Sequence, residues 1–508
     1  MKHFLTITLA SLVAVALLAA CTEQVPQETT PELQYPVIKP TQPEETYPVY
    51  TRPAEEEEYE DGYCDPEEDN FGSTTPTTDT SSDSQDNESD DAFAGGTPSS
   101  GSQSGNSGST TPSVTPIPSD LNGKPLSWAN INSFPIKSPD MTVADMRSLC
   151  VGFFRYAKTA VWTASHSIDY VRNAKGTADS MTAGTRYGGL PYVGSSSGNI
   201  YRLMDYLDET TGVVDLADAL KLTGGVLQTK DLQYFGNQCA NGASVGWQRV
   251  INSVSGTATM NITEYKGYVL LGDYKYDTTK IKTWSTDYGT DECVKENGNQ
   301  VMYRSYAELK VGDGLVYYTT AGHVVMAATD AHVEYVSGTN TIDGNKSYIY
   351  IIHQAQKWED AVAADGKTYQ VKDGVDVKVT FKKLFDSNYV PVTFAEFMGT
   401  DPVEKTSCSF SYTAGSATLT QLCKGKITCN YSITDAYIIV TDGSGKEVYK
   451  HAVRNSSPWG KTLQLSKTGS NVDTWGKLTS GIYNVKVVAQ LGTGERPIVY
   501  SGKLTMDN

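Results

Sequence analysis

Histidine is scarce in this chain, six residues in 508, and the eight cysteines are scattered. There is no Cys-x-x-Cys pair and no group of histidines at zinc spacing. A structural metal site is therefore not expected, and no motif asks for a cofactor. Net charge is missing from most of the chain. The total is −18, but residues 22–125 alone hold 22 acidic and 3 basic residues. From 126 onward the two signs balance, 37 against 37. The acidity belongs to one segment, so it implies nothing about acidic or basic substrates, and no nucleic-acid partner is expected.

One apolar run stands out, residues 4–20, preceded by Lys2 and His3. It is too short for a comfortable membrane span. It ends in Leu18-Ala19-Ala20-Cys21, which resembles the lipobox of bacterial lipoproteins. That resemblance implies a signal peptide over 1–21, cleavage before Cys21, and lipid on the Cys21 thiol. The plainer alternative is an ordinary secretory signal. Both put the protein outside the cytoplasm; the first ties it to a bacterial membrane by its lipid. Residues 22–125 are rich in Pro, Ser, Thr, Gly and Glu and lack the apolar content of a core. They read as a disordered, self-repelling tether. With Cys21 lipidated, seven cysteines remain, and an odd number leaves a free thiol or an intermolecular bond.

The rest is long enough for two domains, 126–400 and 401–508. Thr142, with Asp145 three residues on, predicts a capped helix start. Met146, Leu149, Cys150, Phe153, Ala157, Ala160 and Val161 then form one apolar stripe, so Cys150 reads as core. Short helices are expected at 199–207 and 215–222. From 257 the pattern changes to β-branched and aromatic segments at 267–271, 314–318, 323–328, 333–336, 348–353 and 375–381. Tyr389-Val390-Pro391-Val392 reads as a closing edge strand, where proline is tolerated. Helices followed by an antiparallel sheet make an α+β class. Residues 401–508 change again, to six to eight strands between turns. That is the pattern of an all-β sandwich similar to Ig-like modules, suited to a spacer or binding role. Cys408, Cys423 and Cys429 are close enough for one disulfide, with the pair left open.

The chemistry centres on Cys239. A Gly-containing turn leads into it, and Ala243, Trp247 and Val250 follow on one face of a helix. At a helix start, free N–H groups and the dipole favour the reactive thiolate. A base is needed as well. His323 opens a strand after the Gly312-Asp313-Gly314 turn, and His353 ends the strand of 348–353. His323 suits a general base; His353 suits a residue that orients it, with His332 and Gln354 as rivals. Upstream, Gly189-Leu190-Pro191-Tyr192 is a turn expected to hold Tyr192 near the surface.

This order of elements over about 142–397 resembles NlpC-type cell-wall peptidases of the papain-like superfamily. The resemblance implies a papain-like fold with Cys239 as nucleophile, His323 as base and His353 as its orienting partner. Tyr192 would help stabilise the acyl intermediate. It implies hydrolysis of peptide amide bonds in peptidoglycan stems. The family usually has Asp-Cys-Ser-Gly where this chain has Gln238-Cys239-Ala240-Asn241-Gly242. The expected function is thus a secreted, lipid-anchored cysteine peptidase or amidase. The alternatives are a non-catalytic surface-binding lipoprotein, or an acyl transferase using the same nucleophile.

Overall fold

A computed structural model describes residues 117–118, 120–172, 178–193, 198–219, 236–252, 254, 267–277, 289–319, 322–412, 422–455, 459–465 and 478–506. All lie in one compact unit, Thr46–Asn508. The expected signal peptide, Cys21 and nearly all of the segment expected to be a tether lie outside the described residues. The fold takes hold before residue 126. Ile117 and Leu121 pack on the core, and the Lys124 carbonyl accepts the Val161 N–H at 2.9 Å.

The architecture is mixed helix and sheet. Helices α1 (Trp128–Asn132) and α2 (Val143–Thr159) come first. Thr142 and Asp145 form the expected reciprocal cap on α2. Its stripe is buried, Leu149, Cys150 and Phe153 completely. Then come α3 (Ile200–Met204), α4 (Leu216–Ala219) and α5 (Cys239–Trp247). Two helices fall inside the stretch read as strands: α6 (Thr290–Asn297) and α7 (Asn299–Ala307). Their buried faces, Cys293 and Val294, then Met302, Tyr303 and Tyr306, are narrow, which hid the helical period. Helix α8 (Phe381–Asp386) follows.

Strands β1 (Val161–Ala164), β2 (Ile168–Arg172), β3 (Ala178–Met181), β4 (Arg186–Gly188), β5 (Leu207–Asp208) and β6 (Val213–Val214) precede α5. After it come β7 (Tyr268–Leu270), β8 (Gly314–Tyr318), β9 (Gly322–Ala327) and β10 (Tyr348–Ile352). Next are β11 (Trp358–Val362), β12 (Thr368–Lys372), β13 (Val377–Thr380) and β14 (Val390–Phe394). One sheet runs β11-β12-β4-β1-β6-β5, and β2 pairs with β3. The second runs β13-β10-β9-β8-β14-β7, with every neighbouring pair antiparallel.

Two sequence expectations need correcting here. Residues 333–336 form no strand; only isolated bridges, His332↔Tyr348 and Tyr335↔Ile342, occur there. And β14 is an inner strand, between β8 and β7. Pro391 is tolerated because its carbonyl faces the end of β7. There it accepts the Leu271 N–H at 3.2 Å and the Tyr274 hydroxyl at 2.8 Å. Neighbouring N–H and C=O of one residue share a side in a strand, so the missing donor removes no bond to β8.

The Gly312-Asp313-Gly314 turn fixes two helices to this sheet. Asp313 is fully buried and takes Arg147 of α2 at 2.7 Å, with Thr393 as a further donor. The Gly312 carbonyl accepts Trp247 Nε1 of α5 at 2.7 Å. Burial raises the Asp313 carboxyl above its usual range, against the pull of Arg147.

The C-terminal part has β15 (Cys408–Ser411), β16 (Lys426–Cys429), β17 (Ile433–Thr441), β18 (Glu447–Arg454), β19 (Thr462–Gln464), β20 (Gly481–Leu491) and β21 (Ile498–Met506). They form two antiparallel sheets, β15-β16-β19 and β18-β17-β20-β21, around one apolar cluster. Cys408 and Cys429, opposite each other across β15 and β16, form the disulfide; Cys423 is free. The strand expected near 417–419 lies outside the described residues. This part is not held off as a spacer. Arg202 Nε meets Asp435 at 3.0 Å with both side chains buried, and Asp205 takes Arg454 at 2.7 Å and Lys450 at 3.1 Å.

Candidate active site

The Cys239 helix starts beside the Pro191-Tyr192 turn. The Asn237 N–H donates to the Pro191 carbonyl, and the Val193 N–H to the Asn237 carbonyl, both at 3.1 Å. The chain thus brings Tyr192 next to the approach to Cys239. Tyr192 is fully buried, not near the surface as its turn suggested.

All residues of α5 are buried. Its sequence is small enough for that: Ala240, Gly242, Ala243, Ser244 and Gly246 let α2 and the strand ends approach closely. A side chain on Gly242 would come within 2.7 Å of the Gln354 Cβ. Cys239 is the first residue of the helix, after Gln238 in extended conformation. Its Sγ lies 3.8 Å from the carbonyl oxygen of Gly322, the residue before His323.

His323 lies on β9, opposite Tyr317 of β8. His353 follows the last residue of β10, whose Ile352 pairs with Met326. Continuing that register sets 353 beside 325. Side chains two apart share a face, so His323 and His353 point the same way. His323 Nε2 and His353 Nδ1 are 3.0 Å apart, and the rings meet edge to face. The Tyr389 ring lies edge-on against His323.

His353 is held well below the usual imidazole range, first by burial, then by the charges of His323 and Lys158. It is therefore neutral near pH 7, with one donor and one acceptor nitrogen. Such a ring can accept a bond from a protonated His323. The rivals stand elsewhere. His332 is exposed, 3.3 Å from Glu334 and stacked on Tyr348. Gln354 Nε2 donates to the Leu190 carbonyl at 2.9 Å.

The thiols differ by position. Cys150 is completely buried in the α2 stripe, and burial pushes its pKa far up. Burial pushes Cys293 up to about 12. Cys239 is also inaccessible, 1% exposed, and His323 is 4% exposed. Among the described residues, no three of His, Cys, Asp and Glu cluster as a metal site would need.

The chain matches no family model and no curated protein. Among solved structures it is similar to a polysaccharide deacetylase from Bacillus cereus, at 10% identity and a TM-score of 0.13. That overlap spans 20% of this chain and 30% of the deacetylase, and it carries no argument about fold or activity.

Two neighbours of His353 gave no signal in the sequence. Lys158 sits at the end of α2, where a lysine ordinarily faces solvent and complements the dipole. Here it is buried, 3% exposed, with Nζ 2.7 Å from the Asp373 carbonyl. Gly374 packs against the His353 ring: a Cβ there would come within 2.5 Å of Nε2. Only its placement on a distant loop, seen after folding, marks it.

Proposed function

We propose that this chain is a lipid-anchored, extracytoplasmic cysteine peptidase or amidase, with a papain-like NlpC-type fold over about 126–400 and an Ig-like sandwich after it. One observation carries the reading. Cys239, at the start of a buried helix, lies against the residue preceding His323, and His323 shares a hydrogen bond with a neutral His353. Nucleophile, base and orienting group are what amide cleavage through an acyl-enzyme needs.

In this mechanism His323 takes the Cys239 proton, and the thiolate adds to the substrate carbonyl. The Cys239 backbone N–H and the Tyr192 hydroxyl donate to the oxyanion. The C–N bond breaks as His323 returns its proton to the leaving amine. Water, deprotonated by His323, then adds to the thioester; the C–S bond breaks and the thiol regains the proton. His353 accepts from His323 whenever His323 is charged. The burial of Cys239 requires the covering groups to move before a peptide reaches it. The substrate class is the peptide stem of peptidoglycan, which suits an anchor at Cys21 and a long acidic tether.

Incubating the chain with purified peptidoglycan and weighing the released fragments tests this. Fragments with new amine and carboxyl ends are expected from the native chain and not from Cys239→Ala. Equal release by both would refute the assignment. The burial of Cys239 also favours a second reading, a non-catalytic binding lipoprotein, in which neither chain releases fragments and both are retained by the wall.

A further inference from the structure

Lys158 is buried behind His353, and the proposed reaction leaves it without a task. Its Nζ donates to the Asp373 carbonyl at 2.7 Å and to Gln354 Oε1 at 3.4 Å. Asp373 precedes Gly374, whose carbonyl accepts the His353 N–H at 2.9 Å and whose bare Cα packs on the His353 ring. Gln354 follows His353. The lysine therefore ties together, from behind, both segments that clamp the ring. A small cavity lined by Lys158, Gln354, Asn237, Gly242 and Phe154 links this spot to the start of α5.

We propose that Lys158 is a positioning residue that fixes His353 and makes it the poorer of the two imidazoles for a proton, so that the proton taken from Cys239 stays on His323. The proposal rests on the peptidase reading. A proton on the histidine pair has two places to go. On His323 it faces the thiolate; on His353 it faces an ammonium, and His323 is left neutral beside Cys239. Besides burial, His353 feels the charges of His323 and Lys158. On Lys158 itself Asp373 and Lys372, at the end of β12, oppose each other, and Glu359 of β11 acts more weakly than either. Lys372 Nζ is turned onto the Trp358 ring at 4.0 Å. Burial lowers Lys158 itself to about 7. The ammonium is thus present below that pH, in the range where an ordinary imidazole would also take a proton.

The test is the pH profile of Cys239 alkylation by iodoacetamide in the full chain, read by peptide mass, with denaturant unfolding to confirm the fold. Lys158→Met should move the acidic limb up by about one unit, a roughly tenfold slower reaction at pH values below it. Lys158→Gln keeps a donor for the Asp373 carbonyl without the charge, and should move the limb likewise should the Met variant not fold. A folded variant whose profile superimposes on the native one overturns the role of Lys158 alone. A native Cys239 that alkylates no faster than Cys150 overturns the peptidase reading, and this proposal with it.

Discussion

The two cores of this molecule treat polar groups differently. The C-terminal cluster is apolar throughout, closed at one edge by Cys408–Cys429. Its buried charges lie on the outer side, where Asp435 meets Arg202 directly. The larger core admits His323, His353, Lys158 and Asp313 among its apolar residues. Asp313 is joined to an arginine, the two histidines to each other, and the lysine to the Asp373 carbonyl. Burying a polar group costs free energy unless it is fully paired. The ion pairs are satisfied and hold surfaces together. In the proposed reaction the histidine pair redistributes a proton, which a joint does not do.

Changes in each region sharpen this contrast. The largest effect is expected from His323→Gln, which removes the proposed base: release of wall fragments should fall roughly a thousandfold, with unfolding little changed. Next is Arg147→Met, which strands the buried Asp313 and should cost about 3–5 kcal/mol in denaturant titration. Arg202→Met should cost less, about 2 kcal/mol, because Arg454 remains 3.8 Å from Asp435. Equal losses would mean that the two pairs do the same work. Replacing Cys408 and Cys429 by serine opens a 21-residue loop and should cost about 3 kcal/mol, leaving Cys239 alkylation unaltered.

The last effect is one of pH. Lys158 binds its proton less tightly when folded, so above about 7 the unfolded chain holds more protons than the native one. Stability from this group therefore rises with pH, by about 2 kcal/mol from pH 7 to 9. Lys158→Met should lose that rise, leaving the opposite trend of the buried thiols Cys150, Cys293 and Cys423, which keep protons that the unfolded chain gives up towards pH 9. His353 adds the same sign lower down: below about pH 6.5 the unfolded chain gains a proton that the fold resists, and stability falls.

What the sequence made legible follows its periodicities. The α2 cap and stripe, the α5 start at Cys239, and strands β8, β9 and β10 all announce themselves within a dozen residues. Most C-terminal strands do too, because a half-buried sheet alternates. Helices α6 and α7 were hidden by narrow apolar faces, and the inner position of β14 by a proline whose carbonyl direction no sequence shows. At the site, the types and order of Cys239, His323 and His353 were readable, as was the choice between His353, His332 and Gln354 down to three names. The register of β10 on β9 sets which of them meets His323, and register is a property of the sheet. Lys158, Gly374 and the burial of Tyr192 depend on contacts between segments far apart in the chain.

The most direct test sets accessibility against reactivity. Among its described residues the native chain carries four cysteines outside a disulfide: Cys150, Cys239, Cys293 and Cys423. Cys423 is the most accessible of them, but burial of its surroundings pushes it up to about 11. Timed iodoacetamide labelling near neutral pH, read for all four by peptide mass, should mark Cys239 first. If Cys423 is labelled first and Cys239 stays unmodified until the chain unfolds, Cys239 is a packed core residue and no nucleophile.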